Sequence, residues 1–303
     1  MDILRAIILG IIQGATEFLP VSSSGHLSVA QHVLGVNTEV GILFDLMLHV
    51  GTLAAVFFVF RNLIGRLICE FFRMIGDLFT GKFHWSKMSH DRRMVMMLLI
   101  GLLPLLLFFI PLPGTNGNLK DFMEGFYEDS TILVEGFCFL FTGALLMIAH
   151  VATKKAEGSH YQSKKDLTTG NALTIGIFQG IATLPGVSRS GSTLAAGLFC
   201  GLDKQTALDY SFVLGIPAIL GASLLQVKDA IAEKAAIDIL PMVVGVIVSA
   251  IVGFFAIKLL KLVLKKDRLN IFAIYCLILG IACVIIGFVE ASQGINIFSG
   301  SML

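Results

Sequence analysis

The sequence is poor in charge, in proline and in tryptophan. Only 14% of its 303 residues are charged, against roughly 25% in an ordinary soluble domain. It has seven prolines and one tryptophan, whereas 56% of its residues are hydrophobic and the mean hydropathy is +0.87. This balance excludes a soluble enzyme and indicates a polytopic membrane protein. The formal net charge of +1 also argues against a nucleic-acid-binding surface.

Cysteine is also scarce, with five single residues scattered mostly through apolar stretches. Their spacing gives neither a disulfide framework nor a metal-binding knuckle, and we expect them to pack as small hydrophobic side chains. The first apolar stretch is interrupted by Gln13 and Glu17 and lacks a small-residue cleavage pattern. We therefore expect the N-terminal region to be membrane structure and not a cleaved signal peptide.

Six apolar stretches reach the roughly 20 residues that a helix needs to cross a bilayer. They cover residues 42–60, 94–112, 132–150, 207–227, 239–257 and 271–289. Regions 3–35 and 171–202 are also apolar but carry polar residues at their middles, so we interpret them as re-entrant hairpins. Non-helical backbone at membrane depth is tolerated only where protein or a water-filled cavity covers it, and such hairpins usually form a site. The predicted fold is all-α, a single membrane domain over residues 1–303 with six transmembrane helices and two re-entrant helical hairpins.

The loops differ in positive charge, which predicts their side of the membrane. Loops 61–93, 152–169 and 258–270 hold seven, four and five Lys or Arg residues, and we place them in the cytoplasm. Loops 113–131 and 228–238 hold more acids than bases and are expected outside. On this pattern the first hairpin enters from the outer side and the second from the cytoplasm.

The two hairpins are related in sequence. A shift of 166 residues, without a gap, superposes identical residues, which are Gly10, Ile11, Gln13, Gly14, Ser22, Ser24 and Gly25 on Gly176, Ile177, Gln179, Gly180, Ser188, Ser190 and Gly191. Each half then has one hairpin and three spans, with halves 1–151 and 170–290 in opposite orientation. This is an inverted-topology repeat, in which broken helices meet near the midplane and form the ligand site.

The first polar cluster runs from Gln13 to His26. Gln13 and Glu17 stand four residues apart and share one helix face, and Pro20 disfavours a helix just before itself. Ser22, Ser23, Ser24 and Gly25 suit the N-terminus of a second short helix, whose free N–H groups favour a phosphate. The cluster therefore predicts a polar helix face that ends at a break beside an anion site.

The second polar cluster contains Ser188, Arg189, Ser190 and Thr193. Arg189 is the one Lys or Arg inside an apolar segment away from loops and chain ends. A buried guanidinium is costly unless it is paired or faces water, so an anionic partner is expected, and phosphate suits its fork geometry.

Other interpretations of these residues stay open. The Ser and Thr hydroxyls could serve only close helix packing, and Arg189 could form a structural salt bridge with Glu17. Asp45 and His49, another pair four residues apart inside a span, are either functional or merely solvated near the outer end. Glu135 and Asp209 lie near span ends, where we expect interfacial or paired side chains.

Together these residues resemble the two signature motifs of the bacterial undecaprenyl pyrophosphate phosphatases of the bacitracin-resistance type. The motifs are Gln13-x-x-x-Glu17 followed by Phe-Leu-Pro-Val-Ser-Ser-Ser-Gly-His26, and Pro185-Gly-Val-Ser-Arg-Ser-Gly-Ser-Thr193. The resemblance extends over the whole chain. The family's first motif allows Glu or Gln at its first acidic position. Gln13 here leaves Glu17 as the only carboxylate of the motif, which argues against a two-carboxylate metal site.

The resemblance implies hydrolysis of the C55 isoprenoid diphosphate to its monophosphate and inorganic phosphate, which recycles the lipid carrier for cell-wall synthesis. It also implies a divalent cation, Mg²⁺ or Ca²⁺, bound by Glu17 with Gln13, and a bacterial plasma membrane location with the site open to the outer face. An inverted-repeat secondary transporter or lipid flippase is the alternative. The sequence leaves a homodimer open.

The resemblance further implies roles for individual residues. Arg189 would hold the terminal phosphate, and Glu17 would bind the metal or act as base. His26 would be a general acid or base or the nucleophile, with Ser23 as the competing nucleophile. The substrate-binding residues would be those with hydroxyl or amide groups in the two motifs, namely Gln13, Ser22, Ser24, Ser188, Ser190 and Thr193.

Overall fold

The computed structural model is all-helical over the residues it describes, which are 2–34, 38–85, 88–111, 117–119, 131–157, 166–232 and 238–302. Within these ranges there is no β-strand, only two isolated bridges. The ten α-helices of the described part are α1 Ile3–Phe18, α2 Ser23–Leu34, α3 Thr38–Phe79, α4 His90–Leu106, α5 Leu133–Glu157, α6 Thr169–Ile181, α7 Arg189–Phe199, α8 Lys204–Ala232, α9 Ile239–Lys265 and α10 Asn270–Gln293. The all-α prediction is confirmed.

Five of these helices are long and apolar enough to cross a membrane, which makes the chain a multi-pass membrane protein. The candidate spans lie in α3, α5, α8, α9 and α10, and each overlaps a predicted span. The prediction of a span over 94–112 is wrong in its bounds. α4 ends at Leu106 after Pro104, a 3₁₀ turn covers Leu107–Phe109, and Ile110 is extended. Proline weakens the helix there because it lacks an N–H donor.

The basic segment predicted as loop 61–93 is also shorter than expected, because α3 continues to Phe79. Ion pairs stabilise this extension, with Arg92 Nε 3.2 Å from Glu70 and Arg92 Nη1 2.7 Å from Asp77. No proline or glycine pair interrupts the helix before Thr80. The distribution of charge along the sequence therefore predicted too early a C-terminal end for this helix.

Regions 3–35 and 171–202 each contain two short helices separated by a break, as predicted. α1 and α2 are separated by residues 19–22, and α6 and α7 by residues 182–188. The equivalent contacts of the two halves also correspond, since α1 packs on α9 as α6 packs on α4. The assignment of halves 1–151 and 170–290 to an inverted repeat stays a prediction.

Glycines allow a close helix approach between α5 and α10. A Cβ added at Gly136 would lie 2.7 Å from the Val284 backbone nitrogen, and one at Gly280 would lie 2.8 Å from the Gly136 carbonyl oxygen. Small residues of this kind let helix backbones approach each other within a membrane. α5 and α10 thus form a tightly packed helix pair beside the two hairpins.

Candidate active site

The break of the first hairpin exposes the start of α2. α1 ends at Phe18, and the chain turns through Pro20 and Ser22, whose φ of 74° is unusual for a residue with a side chain. The Ser22 Oγ accepts a hydrogen bond from the Gly25 N–H at 3.2 Å. This capping fixes the turn and directs the first N–H groups of α2 into the break.

The second hairpin has the same local construction. Gly186 adopts a φ of 88°, and Ser188 caps α7 by accepting the Gly191 N–H at 3.0 Å. The two breaks touch, because the Gly186 N–H donates to the Ser24 Oγ at 3.1 Å and the Ser190 hydroxyl donates to the Leu19 carbonyl at 3.2 Å. Two helix N-termini are thereby brought to one place.

The Glu17 carboxylate is the centre of this junction. Its Oε1 accepts a hydrogen bond from Arg189 Nη2 at 2.6 Å, and its Oε2 accepts one from the Ser23 hydroxyl at 2.6 Å. Gln13 Nε2 donates to the same Oε2 at 3.0 Å, and His49 Nε2 lies 3.6 Å from it. The Glu17 side chain is 4% exposed and that of Arg189 19% exposed. Four polar side chains from four helices therefore surround one buried carboxylate.

This arrangement can support transfer of a phosphoryl group. A carboxylate that accepts a short hydrogen bond from a hydroxyl is placed to take the hydroxyl proton, which would make Ser23 a nucleophile. A guanidinium on the other carboxylate oxygen keeps further N–H donors for an anion. The Glu17–Arg189 contact is also the salt bridge that the sequence analysis gave as an alternative interpretation of Arg189.

His26 lies apart from that carboxylate. Its Nδ1 is 2.6 Å from the Ser22 carbonyl oxygen, and its Nε2 is 2.8 Å from the Tyr275 hydroxyl. Of the three residues to which the resemblance assigns a part in the reaction, Glu17 and Arg189 are in contact, whereas His26 does not contact either. His26 follows Ser23 by one helical turn on α2, so it borders the junction without touching its carboxylate.

Several residues expected to bind substrate have partners within the protein. Thr193 is fully buried, and its hydroxyl lies 2.9 Å from the Arg189 carbonyl oxygen and 2.5 Å from the Ser211 hydroxyl. Ser22 and Ser188 are also buried and act as caps. These hydroxyls hold the turns in the structure as it stands, and Thr193 supports α7 from behind.

Two residues near the site have no counterpart in the sequence prediction. Tyr275 on α10 contacts His26, and Gly215 on α8 leaves room for the Arg189 guanidinium, since a Cβ there would meet it. Tyrosine in a membrane helix is usually found at the membrane–water interface, so its presence in the sequence does not indicate a contact with His26. The sequence did hold a signal for Gly215, because the 166-residue shift aligns it with His49, which was already a candidate residue.

The other ionisable candidates are paired and not merely solvated. Asp45 accepts hydrogen bonds from Gln31 Nε2, at 3.0 Å to each carboxylate oxygen. Glu135 accepts the Ser28 hydroxyl at 2.6 Å, and Asp209 accepts a hydrogen bond from the Gln205 side chain. Of Asp45 and His49, only His49 lies at the junction, beside the Glu17 carboxylate.

Comparison with known proteins identifies relatives over nearly the whole chain. A family model described as "Bacitracin resistance protein BacA" matches residues 6–282. The chain is 40% identical over 293 residues to an undecaprenyl-diphosphatase of Methanosphaera stadtmanae, covering 95% of this chain and 99% of that one. It is 41% identical to an undecaprenyl-diphosphatase of Alkaliphilus metalliredigens, covering 91% and 95%, and 36% identical to one of Desulforapulum autotrophicum, covering 95% and 100%.

Proposed function

The chain belongs to the BacA family of bacitracin resistance proteins, and on that premise we propose which of its residues carry the reaction. The protein is an undecaprenyl-diphosphatase. It hydrolyses the lipid diphosphate to the monophosphate and inorganic phosphate, recycles the lipid carrier for cell-wall synthesis and gives bacitracin resistance. This hydrolase function takes the place of the transporter alternative.

One observation carries the assignment of roles. The Ser23 hydroxyl donates to one oxygen of Glu17 at 2.6 Å, while the other oxygen accepts from Arg189 at 2.6 Å. Transport alone does not require a nucleophile, a base and a guanidinium in contact. Ser23 is the nucleophile, Glu17 its base and Arg189 the phosphate-binding cation.

In the first half of the reaction, Glu17 takes the Ser23 proton as the hydroxyl oxygen attacks the terminal phosphorus. A Ser23 O–P bond forms, and the bond from that phosphorus to the bridging oxygen breaks. The bridging oxygen keeps the electron pair and leaves as part of the lipid monophosphate. Arg189 and the N–H groups at the starts of α2 and α7 stabilise the charge on the transferring group.

In the second half, water hydrolyses the phosphoserine. Glu17 gives its first proton to solvent or to the departing product and then accepts a proton from the attacking water. The water oxygen bonds to phosphorus, the Ser23 O–P bond breaks with its electron pair on the serine oxygen, and that oxygen takes the proton back from Glu17. The products are inorganic phosphate and the resting enzyme. Ser22, Ser24, Ser188 and Ser190 would hold the two turns and, with substrate bound, contact phosphate oxygens, whereas Thr193 supports α7.

The choice of Ser23 over His26 or a directly attacking water is tested by trapping the intermediate. Enzyme mixed with substrate labelled on its terminal phosphate and quenched in acid should retain label, because a phosphoserine survives acid whereas a phosphoramidate does not. Ser23→Ala should lose both the label and turnover. The matched control is His26→Gln, which should still yield acid-stable label. Label that is acid-labile and absent from the His26 variant would instead identify His26 as the nucleophile.

A divalent cation fits the same residues. Gln13 Oε1 is buried without a hydrogen-bond partner in the described structure, and amide and carboxylate oxygens are ligands that Mg²⁺ and Ca²⁺ accept. No group of three or more His, Cys, Asp or Glu residues that could hold a metal ion occurs within the described ranges. Gln13 and Glu17 would therefore hold the cation together with substrate oxygens. When bound, it would offset charge on the diphosphate.

The membrane arrangement consists of six spans, with α4 as the short sixth, and two re-entrant hairpins formed by α1–α2 and α6–α7. The positive charge of loops 61–93, 152–169 and 258–270 supports their cytoplasmic side, and the family resemblance supports a plasma-membrane protein whose site opens outward. An impermeant maleimide should label a cysteine at Val33, an exposed residue of α2, from outside intact cells. It should not label a cysteine at Lys82 until the cells are opened, and the reverse pattern would refute this orientation. The homodimer stays a prediction, to be tested by the mass of the purified enzyme in detergent.

A further inference from the structure

The imidazole of His26 is held between two aromatic rings. The Phe139 ring meets it edge-on, at a centroid distance of 4.9 Å and an interplanar angle of 75°. The Tyr275 ring lies nearly parallel to it, at 5.7 Å and 10°. The Tyr275 hydroxyl also reaches His26 Nε2 at 2.8 Å. α5 and α10 thus fix a side chain of α2, one helical turn from Ser23.

The two hydrogen bonds of the imidazole define its tautomer. The Ser22 carbonyl oxygen, 2.6 Å from Nδ1, can only accept, so Nδ1 carries a proton. In the neutral ring Nε2 is then an acceptor, and the Tyr275 hydroxyl donates to it. A phenol can donate in this way, whereas a phenylalanine at the same position could only pack.

We propose that Tyr275 is a positioning residue for the diphosphatase reaction and acts through His26. Its hydroxyl holds the imidazole in the Nδ1–H tautomer and in one orientation beside the start of α2. Without that hydrogen bond the ring can turn or exchange tautomers, and a smaller fraction of enzyme molecules presents it correctly. The phosphate contacts of Arg189 are unaffected. This inference rests on the proposed function, which places Ser23 at the site, and it adds His26, one helical turn away on α2, as a residue that the reaction uses.

A double-mutant cycle tests whether Tyr275 acts through His26. Tyr275→Phe should lower kcat about fivefold to tenfold, the equivalent of one lost hydrogen bond, and should change KM little. In a His26→Ala background the same substitution should cost nothing further. If the loss instead recurs in full in that background, or if Tyr275→Phe keeps wild-type kcat, the proposal is wrong.

Tyr210 provides the matched control. It is fully buried on α8 and donates to the Met97 carbonyl oxygen at 2.6 Å, with no contact to His26. Any loss caused by Tyr210→Phe should therefore multiply with that of His26→Ala. A cycle as strongly coupled as that of Tyr275 would mean that the coupling reports general loosening of the bundle, and the proposal would fail.

A spectroscopic measurement keeps the test decisive if His26→Ala is too slow to assay. In protein labelled with ¹⁵N-histidine, the His26 spectrum should show a protonated Nδ1 and a hydrogen-bonded, unprotonated Nε2. Tyr275→Phe should shift the Nε2 resonance, and an unchanged spectrum would overturn the proposal. Full turnover in Ser23→Ala would refute the proposed function and leave this spectrum as predicted, so the two failures are distinguishable.

Discussion

Substitution of Gly215 by alanine should uncouple the catalytic arginine from its carboxylate without removing either. Gly215 lies within α8, where alanine is a better helix former than glycine by about 0.5–1 kcal/mol. A Cβ at this position would lie 2.9 Å from Arg189 Cζ, 3.4 Å from Nη2 and closer still to Nη1. Since the guanidinium is the end of a long side chain, it can move away at little cost to the fold.

The cost to the reaction is much larger. Arg189 Nη2 holds Glu17 Oε1 at 2.6 Å, and a guanidinium displaced by even 1 Å no longer meets the phosphate as required. Removing one preorganised donor from a transition state costs about 2.7–4 kcal/mol, or roughly a hundredfold to thousandfold in rate. Deleting one partner of a buried ion pair costs about 3–5 kcal/mol of the free energy of unfolding. Gly215→Ala should cost less than this, because the guanidinium of Arg189 stays in the chain.

The assay is phosphate release from a long-chain isoprenoid diphosphate by purified enzyme, with thermal unfolding in the same detergent. The control is Gly221→Ala on the same helix, where an added Cβ meets nothing within 4 Å. It should keep wild-type turnover and be slightly more stable. Wild-type turnover in a folded Gly215→Ala variant, or equal losses in both variants, would refute the role assigned to Arg189.

Three further predictions concern Arg189, Gln13 and Gly136. Arg189→Ala should abolish phosphate release while the protein remains folded, and unfolding of this variant would identify the contact with Glu17 as mainly structural. Gln13→Glu should tighten divalent-cation binding, measured by calorimetric titration with Mg²⁺ and by the cation concentration for half-maximal turnover, because it adds a second carboxylate; unchanged affinity would remove Gln13 from the cation site. Gly136→Ala should destabilise the protein by about 1–3 kcal/mol, because its Cβ would meet the backbone of Val284; unchanged thermal unfolding would contradict the close α5–α10 packing.

The parts of the fold that depend on local chemistry could be predicted from the sequence. Long apolar runs predicted the spans, since a bilayer requires them, and the polar residues in the middle of regions 3–35 and 171–202 predicted the two breaks, the first of them at Pro20. The cost of an unpaired guanidinium among apolar residues predicted an anionic partner for Arg189, and a salt bridge with Glu17 was one of the alternatives. The long extension of α3 could not be predicted in this way, because composition does not place a helix end that ion pairs stabilise. The early end of α4 was missed because hydropathy continues past Pro104, where the helix weakens.

The missed features depend on how helices are rotated against each other. His49 faces Glu17 because α3 presents that face to α1, and Tyr275 faces His26 because α10 packs tightly on α5 through glycines. Hydropathy gives the length of a helix, whereas the face it presents is set by packing partners far away in sequence. The positions of Asp45 and His49 made them candidates, and only the folded arrangement separates their roles.

The sequence differences between the two related hairpins explain how they can form one centre, whether or not the predicted halves form an inverted repeat. At the 166-residue shift the charged and nucleophilic residues of the junction differ, with Glu17 aligned to Thr183, Ser23 to Arg189 and His49 to Gly215, whereas Gln13 aligns with an identical Gln179. Two identical halves would bring like charges together at the junction, and like charges in a buried site repel strongly. With one half supplying the carboxylate and hydroxyl and the other the guanidinium, the buried charges neutralise each other. A glycine opposite the histidine position then leaves the space that the guanidinium occupies, so the substitutions in the two halves depend on one another.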